Sequence, residues 1–172
     1  DATPPLEALR ARLEEAIALW VRLLGEVTDA WRVVNAEADG MPGLVLDRYG
    51  DRFVMQIGTL GLDRLRDEVV GMIVEACRPA GLYERSDSPS RKDEGLAPSS
   101  GWRSGGAAAH VDIREGDLRF RIPIEGSQKT GFFLDQRSMR ALVRELAAGR
   151  NALDCFCYTG GFGVAALKGG AA

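Results

Sequence analysis

The sequence predicts a small α+β domain, made of a strand meander, a helix and a hairpin, followed by the first βα unit of a Rossmann-like α/β domain. Strand-like alternation of apolar residues recurs through residues 29–125, around one helical pattern. A short apolar run at 152–156 then leads through a glycine turn at 158–161 into a helical pattern at 162–167. That order is typical of nucleotide-binding domains, because the glycines let the backbone approach a ligand and the helix presents free N–H groups.

The chain begins with a predicted amphipathic helix over residues 5–25. Its apolar residues recur at three- and four-residue intervals, with Pro5 near the start and Gly25 at the end. We therefore expect a linker helix at 1–28 that packs against a small α+β domain at 29–125. Residues 126–172 would be the incomplete N-terminal part of the Rossmann-like domain.

The meander consists of predicted strands at 31–36, 44–49 and 53–57. A helix over 62–76 should end before Pro79, and a further strand covers 81–85. Residues 86–108 are rich in Ser, Gly, Pro and charge without a clear period, which predicts a long loop.

A hairpin is predicted from the alternation at 111–113 and 118–124, with its turn at 115–117. Pro123 lacks a backbone N–H, so its strand should end or lie at an edge there. The next helix covers 139–147, with Asp135 or Ser138 as its N-cap and Gly149 as its C-terminal stop.

Composition indicates a globular chain of 172 residues, since 45% hydrophobic residues can form a real core and a net charge of −3 disfavours a strongly basic nucleic-acid protein. No apolar run approaches the ~20 residues of a membrane span, and no signal-peptide pattern is present, so we expect a cytoplasmic protein without a membrane partner. Cys77, Cys155 and Cys157 lie in apolar surroundings without disulfide or zinc spacing. Reduced thiols and no metal are expected, and His110, without a second ligand nearby, is given a structural role.

The polar segment at 126–137 carries side chains that could bind a ligand. Lys129 and Arg137 can meet a carboxylate or a phosphate, and Phe132 and Phe133 offer faces for stacking. Its uncharged donors are Gln128, Thr130 and Gln136. A polar loop fixed to a core by two phenylalanines is the alternative interpretation, and chemistry alone leaves both open.

Asp154 stands six residues before Gly160, so a carboxylate and a glycine turn can face one ligand. This spacing resembles the first motif of class I S-adenosylmethionine-dependent methyltransferases, in which an acidic residue precedes three alternate positions that are often glycine. Those positions are Phe156, Tyr158 and Gly160 here, so only the last keeps glycine. A carboxylate that only caps the following turn is the alternative.

The sequence Gln-Lys-Thr-Gly-Phe-Phe-Leu-Asp-Gln-Arg at 128–137, followed by Tyr-Thr-Gly-Gly-Phe at 158–162, resembles the large-subunit ribosomal RNA methyltransferase I family. Stretches at 37–50 and 81–87 extend the resemblance to most of the chain. It implies S-adenosyl-L-methionine as cofactor, ribosomal RNA as partner and 5-methylcytosine as product, with 128–137 over the methionine end of the cofactor and beside the target base. The implied cofactor contacts are Gln128, Lys129, Thr130, Phe132, Asp154, Phe156, Tyr158, Thr159, Gly160 and Gly161.

Methylation of cytosine C5 requires a cysteine, because C5 becomes nucleophilic only after a thiolate adds to C6. Cys155 and Cys157 are candidates, but buried cysteines inside a motif are more often small core residues. The resemblance implies a nucleophile and an Asp-Pro-Pro segment further along a longer chain. No catalytic residue is therefore assigned here, and we expect that these residues alone do not methylate RNA.

Other functions remain open. A guanine-N7 ribosomal RNA methyltransferase would carry similar Gln-Lys-Thr-Gly and Tyr-Thr-Gly-Gly segments without needing the cysteine. A non-catalytic module that binds RNA or a protein is a second alternative. A nucleotide-binding oxidoreductase fits less well, because the turn lacks the G-x-G-x-x-G spacing.

The remaining basic residues are predicted to be solvated charges, with RNA contact as the competing hypothesis for those of the long loop. They are Arg85, Arg91, Lys92 and Arg103 of the loop, and Arg137, Arg140, Arg144 and Arg150 in and beside the helix at 139–147, for which a basic nucleic-acid patch is the alternative. The exposed side of a strand at 153–156 should seek a partner, through disorder, dimerisation or exchange between chains. A homodimer is thus an open expectation.

Overall fold

A computed structural model of the chain describes residues 5–126 and 131–172, which form helices, a five-stranded sheet and a two-stranded hairpin. Among these residues, no helix is both long and apolar enough to cross a membrane. The α-helices are α1 (Pro5–Leu24), α2 (Leu60–Arg64), α3 (Arg66–Cys77), α4 (Ser90–Asp93), α5 (Arg137–Leu146) and α6 (Gly161–Lys168). The strands are β1 (Ala30–Asn35), β2 (Leu44–Tyr49), β3 (Arg52–Ile57), β4 (Gly81–Ser86), β5 (Ser99–Gly105), β6 (His110–Glu115) and β7 (Leu118–Pro123).

The large sheet has the order β1-β2-β3-β4-β5, and the predicted meander of its first three strands is confirmed. Its pairs are antiparallel except β3 with β4, which are parallel. A parallel neighbour requires a crossover connection, which α2 and α3 provide. The β6–β7 hairpin forms a sheet of its own and ends at Pro123, as predicted.

Alternating side chains of the large sheet fill two separate hydrophobic cores. Phe53, Met55 and Leu82 belong to the core that includes residues of α1 and α3. Val54 and Tyr83, their neighbours in sequence, belong to the core that includes the hairpin and Phe132. Because successive side chains of a strand point to opposite faces, both faces of the sheet are covered.

The prediction of a long loop at 86–108 is wrong, because these residues contain α4 and β5. Strand β5 pairs with β4 from Ser86 opposite Ser99 to Gly81 opposite Gly105. Its side chains are exposed or only half-buried, so no apolar alternation marks it in the sequence. Backbone hydrogen bonds to a buried neighbour therefore define this strand.

Arg91 is buried rather than solvated. It donates from Nη1 to the carbonyl oxygen of Ile57 at 2.6 Å and from Nη2 to Asp63 Oδ1 at 3.0 Å. The same guanidinium also donates to the carbonyl oxygen of Ala97. With its donors used by the fold, Arg91 has a structural role.

Two other basic residues of the predicted loop also have structural partners. Arg103 donates from Nε to the buried carboxylate of Glu84 at 2.6 Å, and Arg85, which is buried, donates to the carbonyl oxygen of Ile124. The expectation of a solvated charge is therefore wrong for Arg85. Arg103 stays exposed but is paired with Glu84, and Lys92 is exposed as expected.

Helix α5 begins at Arg137, with Gln136 at the N-cap position and no side-chain cap hydrogen bond. The predicted caps Asp135 and Ser138 are thus wrong. The expected solvated arginine face is wrong as well, because Arg140 is 2% exposed and forms two hydrogen bonds with Glu115 on β6. Arg144 on the same helix pairs with Asp117 of the hairpin turn.

The predicted buried strand at 152–156 is not formed. Leu153 is 88% exposed and Phe156 fully exposed, and the segment has no strand partner among the described residues. A strand needs a neighbour for its backbone hydrogen bonds, and an isolated apolar run cannot supply one. Cys155 and Cys157 are consequently exposed, which corrects the expectation of buried thiols.

The Arg140–Glu115 pair should contribute strongly to stability. Arg140→Ala removes both hydrogen bonds to the buried Glu115 carboxylate and leaves it only the 3.5 Å ion pair with Arg137, so we expect a loss of about 3 kcal/mol in the free energy of unfolding, measured by urea denaturation. Arg121→Ala removes the matched but exposed pair with Asp112 on the same hairpin, and should lose only a small fraction of that. Equal losses in the two variants would contradict the role of burial.

The thiols should differ in reactivity. Burial raises the pKa of Cys77 to about 11, so its reactive thiolate is scarce at pH 8 and increases only as the pH approaches that value. Timed iodoacetamide labelling at pH 8, followed by mass spectrometry, should modify exposed Cys155 and Cys157 first. Cys77→Ser should remove only the slow phase, and three equal rates would show that Cys77 is accessible.

Candidate cofactor-binding site

The turn before α6 has an unusual backbone. Phe156, Tyr158 and Gly160 have positive φ angles of 63°, 49° and 71°. Only glycine adopts this left-handed region without strain, and a bulky residue there costs roughly 1–3 kcal/mol. The three alternate positions after Asp154 are therefore the ones where the backbone favours glycine, although two of them carry aromatic side chains.

Asp154 caps the helix that follows this turn. Its Oδ2 accepts a hydrogen bond from the backbone N–H of Gly163 at 2.9 Å. Gly160 occupies the N-cap position and has no side chain to satisfy that N–H, so Asp154 takes over the task. The capping interpretation of Asp154 is confirmed, and its Oδ1 makes no hydrogen bond within the described part of the chain.

The first turn of α6 lies directly on Arg140 and Phe132. A Cβ atom on Gly161 would come within 3.1 Å of Arg140 Cδ and 3.8 Å of the Phe132 ring, so a larger residue would require the Arg140 side chain to shift. The backbone N–H groups of Gly161 and Phe162 have no acceptor among the described residues. They leave two donors directed away from the helix, as at other helix N-termini.

A cleft of about 240 Å³ lies between this turn and residues 132–136, which follow the hairpin in the chain. Tyr158 closes one side, since its hydroxyl donates to the carbonyl oxygen of Gly131 at 3.1 Å and its ring meets Phe133 edge-on at 5.7 Å. The structure thus brings together distant parts of the predicted site. Its lining includes Phe132, Asp154, Phe156, Tyr158, Thr159 and Gly161.

Phe132 is placed differently from the prediction. It is 4% exposed, packs on Phe120 with 5.1 Å between ring centroids, and lies under the Arg140 guanidinium at 4.4 Å. The alternative interpretation, a loop fixed to a core, therefore holds for Phe132, which the hairpin covers although it still borders the cleft. Gln128, Lys129 and Thr130 lie outside the described residues.

Sequence reasoning missed Arg140, which lies under the cleft. A signal was present, because Arg140 shares helical spacing with Val143 and Ala147 and so falls on the predicted apolar stripe of α5. A charged residue on such a stripe requires a buried partner. Cys155 and Cys157 also line the cleft.

The chain was compared with known proteins. Residues 91–172 match the family model described as S-adenosylmethionine-dependent methyltransferase. The chain is 42% identical over 143 residues to ribosomal RNA large subunit methyltransferase I of Shewanella denitrificans, covering 83% of this chain and 36% of the relative. The Tolumonas auensis relative is 42% identical over 163 residues, covering 93% of this chain and 41% of the relative. The chain therefore spans about two fifths of the length of these curated relatives.

Solved structures agree with the sequence comparisons. A structure from Streptococcus mutans, assigned provisionally as a SAM-dependent methyltransferase, is 26% identical with a TM-score of 0.83, and the match covers 99% of this chain and 44% of that one. A second structure with the same identity, coverage and TM-score is a provisional methyltransferase complexed with SAH. The chain therefore belongs to the S-adenosylmethionine-dependent methyltransferases of the ribosomal RNA large subunit methyltransferase I type.

Proposed function

We propose that the chain is part of an S-adenosylmethionine-dependent methyltransferase that acts on large-subunit ribosomal RNA and forms 5-methylcytosine. The observation that carries this proposal is the turn in which Phe156, Tyr158 and Gly160 all have positive φ between Asp154 and the start of α6. The relatives' name, ribosomal RNA large subunit methyltransferase I, supports the substrate. That substrate also supports a cytoplasmic location.

The residues of the cleft fit the chemical groups of S-adenosylmethionine. Free N–H donors at the start of α6 suit a carboxylate, and the unpaired Oδ1 of Asp154 suits an ammonium or a hydroxyl group. The exposed rings of Phe156 and Tyr158 suit an adenine face. When bound, the cofactor supplies an electrophilic methyl group, and the chain's own residues hold and orient it.

One of these residues, Phe132, is proposed in a role different from the expected cofactor contact. We propose that Phe132 supports the turn from beneath, since it is buried, and that Thr159 and Gly161 contact the cofactor through the backbone. Lys129, with Gln128 and Thr130, remains proposed as a contact with the methionine end. The cleft volume of about 240 Å³ is below the ~300–1,000 Å³ of complete small-molecule sites. Further residues of a longer protein would complete it.

We also propose the division into a linker helix at 1–28, an α+β domain at 29–125 and a methyltransferase part from 126 onward. The exposed apolar residues of the C-terminal part, such as Leu153 and Leu167, support a further contact there, either with the rest of a longer chain or in a homodimer. No catalytic residue is assigned within the chain.

Cofactor binding should depend on the turn and on Asp154. In the full-length protein that contains this sequence, Gly160→Val would force a β-branched residue into the left-handed region, and Asp154→Ala would remove both the free oxygen and the cap. We expect each change to weaken S-adenosylmethionine binding by about 1–3 kcal/mol, or roughly 5- to 150-fold, measured by calorimetry. Asp67→Ala, an exposed carboxylate in the first turn of α3, is the control. Unchanged affinity in both site variants would refute the assignment of this turn.

The reaction itself can be tested on protein-free ribosomal RNA. Labelled methyl transfer by the full-length protein, followed by nucleoside digestion and mass spectrometry, should yield 5-methylcytidine, and Lys129→Ala should lower the rate while the melting temperature is retained. Formation of N7-methylguanosine would replace the proposed product. RNA binding without methyl transfer would instead favour a non-catalytic module.

A further inference from the structure

A second cavity also borders Phe132. It measures about 320 Å³ and is formed by α1, β1 and residues 132–137. We call it the tryptophan cavity. The lining residues used below are Trp20, Trp31, Arg32, Phe132, Asp135 and Arg137. Because Phe132 borders both spaces, a ligand in this cavity would lie next to the cofactor cleft but be separated from it by a buried ring.

The walls of the tryptophan cavity suit a flat, partly polar ligand. Trp20 contributes a partly exposed indole. Trp31 and Phe132 also line the cavity, but both are nearly buried, and the Arg48 guanidinium lies 4.6 Å from the Trp31 ring centroid. Trp31 is 3% exposed, yet its Nε1–H has no hydrogen-bond acceptor within the described ranges. A buried donor without an acceptor is unfavourable, so a ligand carbonyl that reached it would stabilise the site. Trp31 also borders a neighbouring cavity of about 260 Å³.

Two arginines hold positive charge beside the cavity in fixed positions. Arg32 donates to both oxygens of Asp47, at 2.8 and 3.1 Å. Arg137 donates from Nη2 to the carbonyl oxygen of Ala30 at 2.5 Å, and its Nε lies 3.5 Å from Glu115 Oε2. Because these contacts orient the guanidinium groups in advance, an incoming phosphate would meet charges that need little reorganisation.

Asp135 is the hydrogen-bond acceptor of the tryptophan cavity that is available to a ligand. It is exposed, and its carboxylate accepts no hydrogen bond from any residue that the structure describes. A carboxylate at the side of an aromatic slot can accept from the exocyclic amino group of a nucleobase, as Asp and Glu do with cytosine N4. It would reject a carbonyl oxygen at the same place, because two acceptors repel.

We propose that the tryptophan cavity binds one unstacked, amino-bearing nucleobase of the RNA strand, a neighbour of the nucleotide that is methylated. The base stacks on Trp20, Asp135 accepts from its amino group, and the flanking phosphate lies near Arg32 and Arg137. Single-stranded RNA is commonly recognised by stacking of splayed bases on aromatic side chains. This assignment rests on the proposed action on ribosomal RNA and adds a sequence-reading site outside the cofactor cleft.

The three tryptophans of the chain provide the test. Trp102 on β5 donates to Glu125 Oε1 at 2.7 Å and does not line the cavity, so its indole signal is an internal control. In ¹H–¹⁵N spectra of the 172-residue chain, cytidine monophosphate should shift the Trp20 and Trp31 indole signals and leave Trp102 unchanged. Uridine monophosphate, which carries a carbonyl in place of the amino group, should bind about tenfold more weakly. Inorganic phosphate alone should shift neither signal.

Asp135→Asn should abolish the preference for cytidine over uridine monophosphate, because an amide can donate to the carbonyl as well as accept from the amine. Asp67→Asn, with the same change of charge on α3, should keep the preference. Equal shifts with inorganic phosphate, equal shifts of Trp102, or an unaltered preference in Asp135→Asn would each overturn the proposal. Cofactor binding is measured separately, by calorimetry on the unaltered full-length protein. If the unaltered full-length protein did not bind S-adenosylmethionine, that result would count against the methyltransferase assignment and not against the tryptophan cavity.

Discussion

The buried guanidinium of Arg140 is the contact on which the C-terminal part of the structure depends. It forms two hydrogen bonds with Glu115 on the hairpin, at 2.8 and 2.6 Å, and a third with the carbonyl oxygen of Phe133. Its flat face lies on Phe132, and its Cδ would lie only 3.1 Å from a Cβ atom at position 161. A bidentate pair fixes both distance and orientation, so one side chain aligns the hairpin, the 131–137 segment and the start of α6.

The hairpin covers the core that contains Phe132, and it also contacts the C-terminal helices. One face packs Ile113, Phe120 and Ile122 against the large sheet, while its turn reaches the C-terminal helices. Hydrogen bonds from Arg144 and then Lys168 lower the pKa of Asp117 to about 2. Because the folded-state pKa is depressed, this contribution to stability is present above the unfolded value near 4 and is lost as the pH falls towards 2. The hairpin thus couples the sheet to the helices that carry the cofactor turn.

Phe132 connects the two proposed binding functions. Its ring forms part of the second core and also borders both the cofactor cleft and the tryptophan cavity. A buried, well-packed ring can separate two ligands at a fixed distance, because a close-packed interior resists local rearrangement. Such an arrangement would allow the protein to bind the RNA strand on one side while the methyl donor is held on the other.

The sequence by itself determined the elements whose signal is local. The family was indicated by the resemblance of residues 128–137 and 158–162. Apolar spacing located α1, α3 and the meander, and the glycines at 160–161 located the turn before α6. These features follow from periodicity and backbone preference, which act over a few residues. The same rules failed where the partner is distant in the chain.

Only the tertiary structure decided the edge strand β5, the burial of Arg91 and Arg140, and the place of Phe132 in a core. Strand β5 exists because β4 offers its backbone groups, and Arg140 is buried because Glu115, 25 residues away, neutralises it. The apolar run at 152–156 shows the converse, since it stays exposed where the described residues offer no neighbouring strand. Burial of a polar group or of a strand requires a partner, and that partner is supplied by the fold rather than by the adjacent sequence.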